Sequence, residues 1–291
     1  MKLKTLLYKF THSPATWHYL DYEPDIKLDC AQAAAPSIIY RQQQRIVTRP
    51  LAELSQLFTG QTVFLIGTGP SLKEQAIERL QGQKLLFLNG ALTLSQSAGL
   101  QATALMIVDK GFIQRHPQFL PLIPLQTPCL FTLGVVRQLL NQDIHFFEHR
   151  PLYLLEKASK PYDQAAKKIH QLDPKVFIRK ENSVFSTDIS KGFAEAGTVM
   201  YVAAQLMYYY QVAHMTLVGF DLGNADQPRF YETKANQDKS GLQKALYQRI
   251  IPAFSLLAEM CKQKNIDISN ASHLSQMPYS IIPFNDCLKR A

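Results

Sequence analysis

Residues 61–71, Gln-Thr-Val-Phe-Leu-Ile-Gly-Thr-Gly-Pro-Ser, constrain the fold of this chain more than any other stretch. Val63–Ile66 is a β-branched and aromatic run of the kind that forms a fully buried parallel strand. Gly67, Thr68, Gly69, Pro70 and Ser71 then turn it, and Leu72–Leu80 carries the apolar spacing of an amphipathic helix. Glycines at the carboxyl end of a strand let backbone N–H groups approach an anion, and the following helix adds the positive end of its dipole. Ser71 can cap that helix or offer its hydroxyl to a phosphate. The turn is not G-x-G-x-x-G, since position 72 is Leu, nor a Walker A loop, since no Gly-Lys-Ser/Thr follows. A plain strand–turn–helix joint also uses glycine, but Gly-x-Gly-Pro-Ser is more particular than a joint requires. A nucleotide-type ligand is the first expectation.

The alternation continues. Lys84–Leu88 reads as a strand ending at Asn89-Gly90, and Ala102–Val108 as one ending at Asp109. A strand at Pro128–Leu133 and a helix at Val135–Asn141 follow. Gly197–Tyr210 is apolar nearly all round and reads as a buried helix, and Ala213–Gly219 as a strand ending at Phe220-Asp221-Leu222. Leu242–Lys264 is helical but broken or kinked at Pro252, and Asn265–Asn270 is the last strand. This rhythm predicts an α/β fold, a Rossmann-like, mostly parallel sheet with helices on both faces. Residues 1–58 read as an accessory helical region and 59–291 as the Rossmann-like domain, with lid segments near 145–190 and 223–241.

Asn89, Asp109 and Asp221 each stand just past a strand, where open α/β sheets bind ligands. Asn89 can bond a phosphate, ribose or sugar hydroxyl. Asp109 and Asp221 can orient hydroxyls, act as a base or hold a divalent ion. Each can equally be an Asx turn closing its strand. Gly197-Thr198 opens the buried helix and gives a second anion site. Glu195 beside it is either a general base or a first-turn acid that favours the helix dipole. Tyr231 and its loop can close over a ligand. His214 reads as core, His273 as a rim residue, and Tyr208, Tyr209 and Tyr210 as packing.

The 291 residues carry a formal net charge of +8, which favours an acidic partner. No dense basic run or nucleic-acid module accompanies it, so nucleic acid is not the expected partner. An anionic membrane surface is. Lys2, Lys4 and Lys9 interleave with Leu3, Leu6, Leu7, Tyr8 and Phe10, as in an interfacial helix or a terminal helix packed on its own domain. The apolar stretch there is too short for a signal peptide, and no run nears the ~20 residues of a bilayer span. A cytoplasmic, peripheral protein is expected. The four cysteines lack C-x-x-C spacing, which fits reduced thiols and no zinc site.

The order of these elements resembles the sialyltransferases of glycosyltransferase family 42, which use CMP-activated sialic acid. Val63–Leu72 is similar to that family's strand followed by Gly-Asn-Gly-Pro-Ser-Leu, Phe87-Leu-Asn89 to its donor-contacting strand end, and Ala196–Met200 with Leu217–Leu222 to its helix start and Ser-Gly-Ile-Asp-Phe strand. Thr68 and Ala196 replace polar residues of that pattern, and residues 222–272 hold no counterpart of its lid histidine. Related arrangements occur in lipopolysaccharide-core Kdo transferases and in motility-accessory-type proteins with a pterin pyrophosphokinase branch. The resemblance implies a GT-A-like variant of the fold. It implies a transferase that moves an ulosonic acid, Kdo or sialic acid, from its CMP donor to a lipopolysaccharide or lipooligosaccharide core sugar. The donor is then held by Gly67, Thr68, Gly69, Pro70, Ser71, Asn89, Gly197, Thr198 and Tyr231, with its carboxylate near Gly197-Thr198 or a basic side chain of the lid such as Arg229 or Lys234. Glu195, Asp109 and Asp221 are the candidate bases. No metal or cofactor beyond the CMP-sugar is expected, and the acceptor is a glycolipid at the inner membrane. A Mg²⁺-dependent pyrophosphokinase and a non-catalytic nucleotide-sugar-binding protein are the alternatives.

Overall fold

The computed structural model describes residues 2–31, 35–223, 228–233 and 245–290. Helix α1 (Lys2–Thr11) and a 3-10 segment (Pro14–Asp21) lead into a three-stranded antiparallel sheet of β1 (Ile26–Asp29), β2 (Ser37–Tyr40) and β3 (Gln44–Val47). Short α2 (Ser55–Phe58) precedes β4 (Thr62–Ile66) and β5 (Lys84–Leu88). Then come α3 (Leu94–Ser97), β6 (Ala104–Ile107), α4 (Lys110–Arg115), β7 (Cys129–Phe131), α5 (Leu133–Leu140) and β8 (Leu152–Leu154). A hairpin of β9 (Phe177–Lys180) and β10 (Ser183–Ser186) precedes α6 (Val199–Tyr209), β11 (His214–Val218), α7 (Ile251–Gln263) and β12 (Asp267–Asn270).

The main sheet has seven parallel strands in the order β12-β11-β4-β5-β6-β7-β8. Its strands are apolar on both faces because both are covered. Val63 and Leu65 of β4, Leu86 and Leu88 of β5, and Met215 and Leu217 of β11 pack with α6 and α7. The alternate residues Ile66, Leu85, Phe87 and Val218 pack with α4, α5 and the N-terminal segment. Period-two alternation thus sorts a continuous apolar run into two cores. Each fully buried Leu, Ile or Phe contributes about 1.5–3 kcal/mol. From β4 the chain winds outward to β8 and then returns to β11 on the other flank of β4. The strand order reverses between β4 and β11, which is where a sheet of this type opens a crevice at its carboxyl end.

The helix expected over Leu72–Leu80 is instead two 3-10 turns, Pro70–Lys73 and Ile77–Leu80. Contacts with the C-terminal segment hold the break. The Ala76 N–H donates to the Leu288 carbonyl at 2.9 Å, and Gln75 Nε2 donates to the Ala271 carbonyl at 2.6 Å. A continuous helix needs that Ala76 N–H for its own ladder. Residues 1–58 are not helical throughout, because β1–β3 occupy their centre. Nor do they stand apart: Ile26, Ile38, Tyr40 and Ile46 share a core with Ile107 and Phe131. Thr48 pairs with Leu152 and so covers the outer edge of β8. The stretch 145–190, expected as a lid, supplies β8 to the main sheet and the β9–β10 hairpin, tied to α7 by the Lys180–Glu259 ion pair. Most of the 223–241 loop, Lys234 included, lies outside the described residues.

Candidate functional site

The glycine turn sits on the end of β11. The Gly67 N–H donates to the Val218 carbonyl at 2.7 Å and the Gly69 N–H to the Gly219 carbonyl at 2.9 Å. A Cβ on either Gly67 or Gly69 would stand 2.7 Å from the Gly219 oxygen, so both positions must be glycine for the two loops to meet. Gly219 itself has φ +62°, and a side chain there would strike Leu72. The sequence reading gave these glycines the task of baring N–H groups to an anion; their first task is this close packing. A side chain at position 69 would therefore perturb the fold itself.

Ser71 and Asp221 complete the joint. The Ser71 N–H donates to Asp221 Oδ2 at 2.8 Å and the Ser71 hydroxyl to Asp221 Oδ1 at 2.6 Å. Both residues are buried. Burial pushes the Asp221 carboxyl up from its usual range, and the two bonds from Ser71 pull the other way. The Ser71 hydroxyl, expected to face a phosphate, is thus committed to Asp221.

Asn89 lies next to the turn, at the end of β5. Its backbone is left-handed, φ +50°, and its side-chain Oδ1 is buried with no hydrogen-bond partner among the described residues. A buried acceptor left open in this way costs free energy unless a ligand supplies the donor. Gly90 follows, and Tyr231 lies directly on it: a Cβ at position 90 would stand 2.7 Å from the Tyr231 hydroxyl oxygen. The Tyr231 ring meets Phe119 and Phe230 edge-on, with centroids 5.3 Å apart in both cases. The Phe230 N–H reaches the Thr68 carbonyl at 3.3 Å. Residues 228–233 are thereby placed over the glycine turn and the β5 end. Arg229 pairs with the buried carboxylate of Glu232.

The start of α6 faces the same crevice, since the Met200 methyl lies 3.1 Å from where a Gly67 Cβ would be. Thr198 caps that helix, its hydroxyl accepting from the Met200 N–H at 3.3 Å. Gly197 has φ +86°, and a Cβ there would lie 3.9 Å from Cζ of Arg249. Arg249 belongs to a π-helical turn, Leu246–Ile250, that runs into α7. Glu195, one turn earlier, pairs with Lys157 at 2.8 Å. Asp109 caps α4 through the Gly111 N–H at 2.8 Å and pairs with Arg115 at 3.2 Å.

The fold therefore brings Gly67–Ser71, Asn89, Tyr231, Thr198 and Asp221 to one crevice, with Asp221 inside its wall. Asp109 lies one strand further along and is exposed. His273, expected at the rim, pairs with Glu74 at 2.9 Å. His214 is half-buried and bonded to Thr216 and Ser269. Sequence reasoning missed Lys157, Gly90 and Arg249. Gly90 follows Asn89 directly and was open to notice; the other two carry no local signal. Among the described residues no three His, Cys, Asp or Glu side chains converge as a metal-ligand group.

The profile of a family described as 3-deoxy-D-manno-octulosonic acid transferase WaaZ matches residues 46–287. The chain belongs to this family. It is a CMP-sugar-dependent glycosyltransferase that transfers an ulosonic acid in lipopolysaccharide biosynthesis, and the pyrophosphokinase and non-catalytic readings are not favoured. Similar proteins include a probable 3-deoxy-manno-octulosonic acid transferase of Salmonella typhimurium, 23% identical over 78% of this chain and 87% of that one. Its namesake from Escherichia coli is 24% identical over 76% of this chain and 81% of its own. Among solved structures, the sialyltransferase CstII from Campylobacter jejuni in complex with cytidine-5'-monophosphate aligns with a TM-score of 0.44 at 14% identity, over 78% of this chain and 85% of that one. Among the described residues no helix is long and apolar enough to cross a membrane.

Proposed function

We propose that this family member transfers Kdo from CMP-Kdo to a hydroxyl of a lipopolysaccharide or lipooligosaccharide core sugar. It works without a resident metal, as a peripheral protein on the cytoplasmic face of the inner membrane. The observation that carries the reading is the open, buried Oδ1 of Asn89 at the mouth of the β4/β11 crevice, beneath Tyr231. A ribose or sugar hydroxyl is the donor that this acceptor lacks. Thr68 and Thr198 flank the phosphate position, and Tyr231 shields it from water. The ulosonic carboxylate is assigned to Gly197-Thr198 and Arg249, because Arg229 is already neutralised by Glu232.

In the reaction the acceptor oxygen bonds to the anomeric carbon as the bond from that carbon to the CMP phosphate breaks. CMP leaves with the electron pair, and the hydroxyl proton passes to a carboxylate. Glu195 is favoured for that proton, because its ion pair with Lys157 engages Oε1 alone among the described residues. Both oxygens of Asp221 are held by Ser71, and Asp109 is divided between the Gly111 N–H and Arg115. The same bonds occupy the positions from which Asp109 and Asp221 would bind a divalent ion. CMP, a stable leaving group, calls for charge stabilisation more than protonation.

Isothermal titration with CMP, GMP, UMP and ATP, with and without Mg²⁺, tests the reading. CMP should bind selectively and equally well in both conditions. Preference for ATP with Mg²⁺ would overturn it.

A further inference from the structure

Helix α1 has two unlike sides. Tyr8 faces the protein, its hydroxyl donating to Glu23 at 2.7 Å and its ring stacked on His12. Leu6 and Phe10 stand two residues to either side of Tyr8, which at about 100° per residue places them opposite it. They are 54% and 82% exposed, and Leu7 beside them is 58% exposed. Three large apolar side chains in solvent on a single ten-residue helix form a patch that needs a reason. The helix carries Lys2, Lys4 and Lys9 and no acidic residue.

The position of this helix matters as much as its composition. Its support is the segment Pro14–Asp21, which lies across the carboxyl ends of β6 and β7. Asp21 pairs with Lys110, the first residue of α4, and Arg137 of α5 donates to the Leu20 carbonyl at 2.8 Å. On its other flank the Ala15 carbonyl accepts from the Ala166 N–H at 2.7 Å, and His18 bonds the Pro161 carbonyl at 3.0 Å. That flank follows β8 and carries Lys157, the partner of Glu195. The exposed apolar side of α1 is thus mounted at the same end of the sheet as the crevice.

We infer that Leu6, Leu7 and Phe10 seat α1 in the interface of an anionic lipid bilayer, so that the crevice is presented toward the membrane. The charge of the helix fixes the occupant: a helix with three lysines, no acidic residue and an exposed apolar side matches an anionic headgroup layer, where apolar burial and attraction add. The inference rests on the reading of the acceptor as a membrane glycolipid, and it names the surface through which the enzyme reaches it.

Trp17, the only tryptophan of the chain, reports on this surface directly. It lies against α1, its indole N–H donating to the His12 carbonyl at 3.0 Å and the Lys9 ammonium 4.8 Å over its ring. The test uses the full chain with vesicles of phosphatidylcholine alone or mixed with phosphatidylglycerol, the latter also with brominated acyl chains. Co-sedimentation should require phosphatidylglycerol, and the brominated lipid should quench Trp17. Leu6→Glu/Phe10→Glu should weaken vesicle binding by about tenfold or more and leave CMP affinity by calorimetry unchanged. Equal vesicle binding by parent and variant, or binding without quenching of Trp17, would overturn the inference. So would a parent chain that ignores vesicles but self-associates through this patch, seen as a dimer in sedimentation that the variant abolishes. A parent that binds vesicles as expected but not CMP would count against the proposed function alone.

Discussion

Asp221 accepts both the backbone N–H and the hydroxyl of Ser71, at 2.8 and 2.6 Å, across 150 residues of sequence. One buried carboxylate thereby fastens the end of β11 to the glycine turn after β4, the two strand ends between which the sheet order reverses. The crevice has a fixed wall because of this pair.

Replacing Asp221 separates a wall residue from a base. Asp221→Asn can accept from the Ser71 N–H and donate to its hydroxyl oxygen, so it should fold normally and keep most of its turnover. Asp221→Ala strands two buried polar groups of Ser71 and should cost about 1–3 kcal/mol for each. Denaturant midpoints and initial rates check both. A loss of turnover beyond about 100-fold in a well-folded Asp221→Asn would make Asp221 the base.

The same carboxylate sets a pH dependence. Burial raises its folded pKa above the unfolded one, so the native state binds the proton more tightly. Its contribution to stability is full below the unfolded value, about 3.9, and is lost as pH rises through the folded value. Unfolding free energies of parent and Asp221→Asn, compared across acidic to neutral pH, should therefore diverge, the parent losing ground as pH increases. A parent that gains on the variant over that range would contradict the sign.

Asn89→Gly removes the open acceptor and keeps a residue at ease with φ +50°. Stability should change by less than about 1 kcal/mol, because Oδ1 has no hydrogen-bond partner to lose among the described residues. CMP affinity by calorimetry should fall about tenfold or more, the worth of one buried hydrogen bond of about 1.5 kcal/mol.

Gly90 and Tyr231 should couple. Gly90→Ala drives a methyl into the tyrosine ring and should cost about 1–3 kcal/mol. In a Tyr231→Ala background the same change should cost much less, a non-additivity that a double-mutant cycle in thermal or denaturant unfolding measures.

Glu195→Gln should lower kcat by about 10²–10⁴-fold with CMP affinity retained. Steady-state rates set against calorimetric affinity distinguish that from a binding defect.

The sheet was legible where apolar runs were long and bounded by turn residues, as at Val63–Ile66, Lys84–Leu88 and Ala213–Gly219. The start of α6 at Thr198 also follows from local chemistry, and Pro252 stands near the amino end of α7, where a helix tolerates it. Leu72–Leu80 has helical spacing, yet Ala76 and Gln75 bond the C-terminal segment, and no local propensity reveals a partner more than 190 residues away. The β1–β3 sheet was missed because its strands are four residues each, with Lys and Asp in β1 and Gln and Arg in β3. Strand β8 has only three residues after Pro151. In the site, residue types just past strands pointed to Asn89 and Asp221, but not to their unlike states. One is an open acceptor and the other a clasp filled by Ser71, 150 residues away in sequence.

The decisive measurement is mass spectrometry of lipopolysaccharide core incubated with the protein and CMP-Kdo, with CMP-sialic acid as the parallel donor and a chelator present throughout. The expected result is a core carrying one additional Kdo, with one CMP released per transfer and no product from CMP-sialic acid. Transfer of sialic acid instead, or product that appears only when divalent metal is restored, would contradict the proposed donor and the metal-free mechanism.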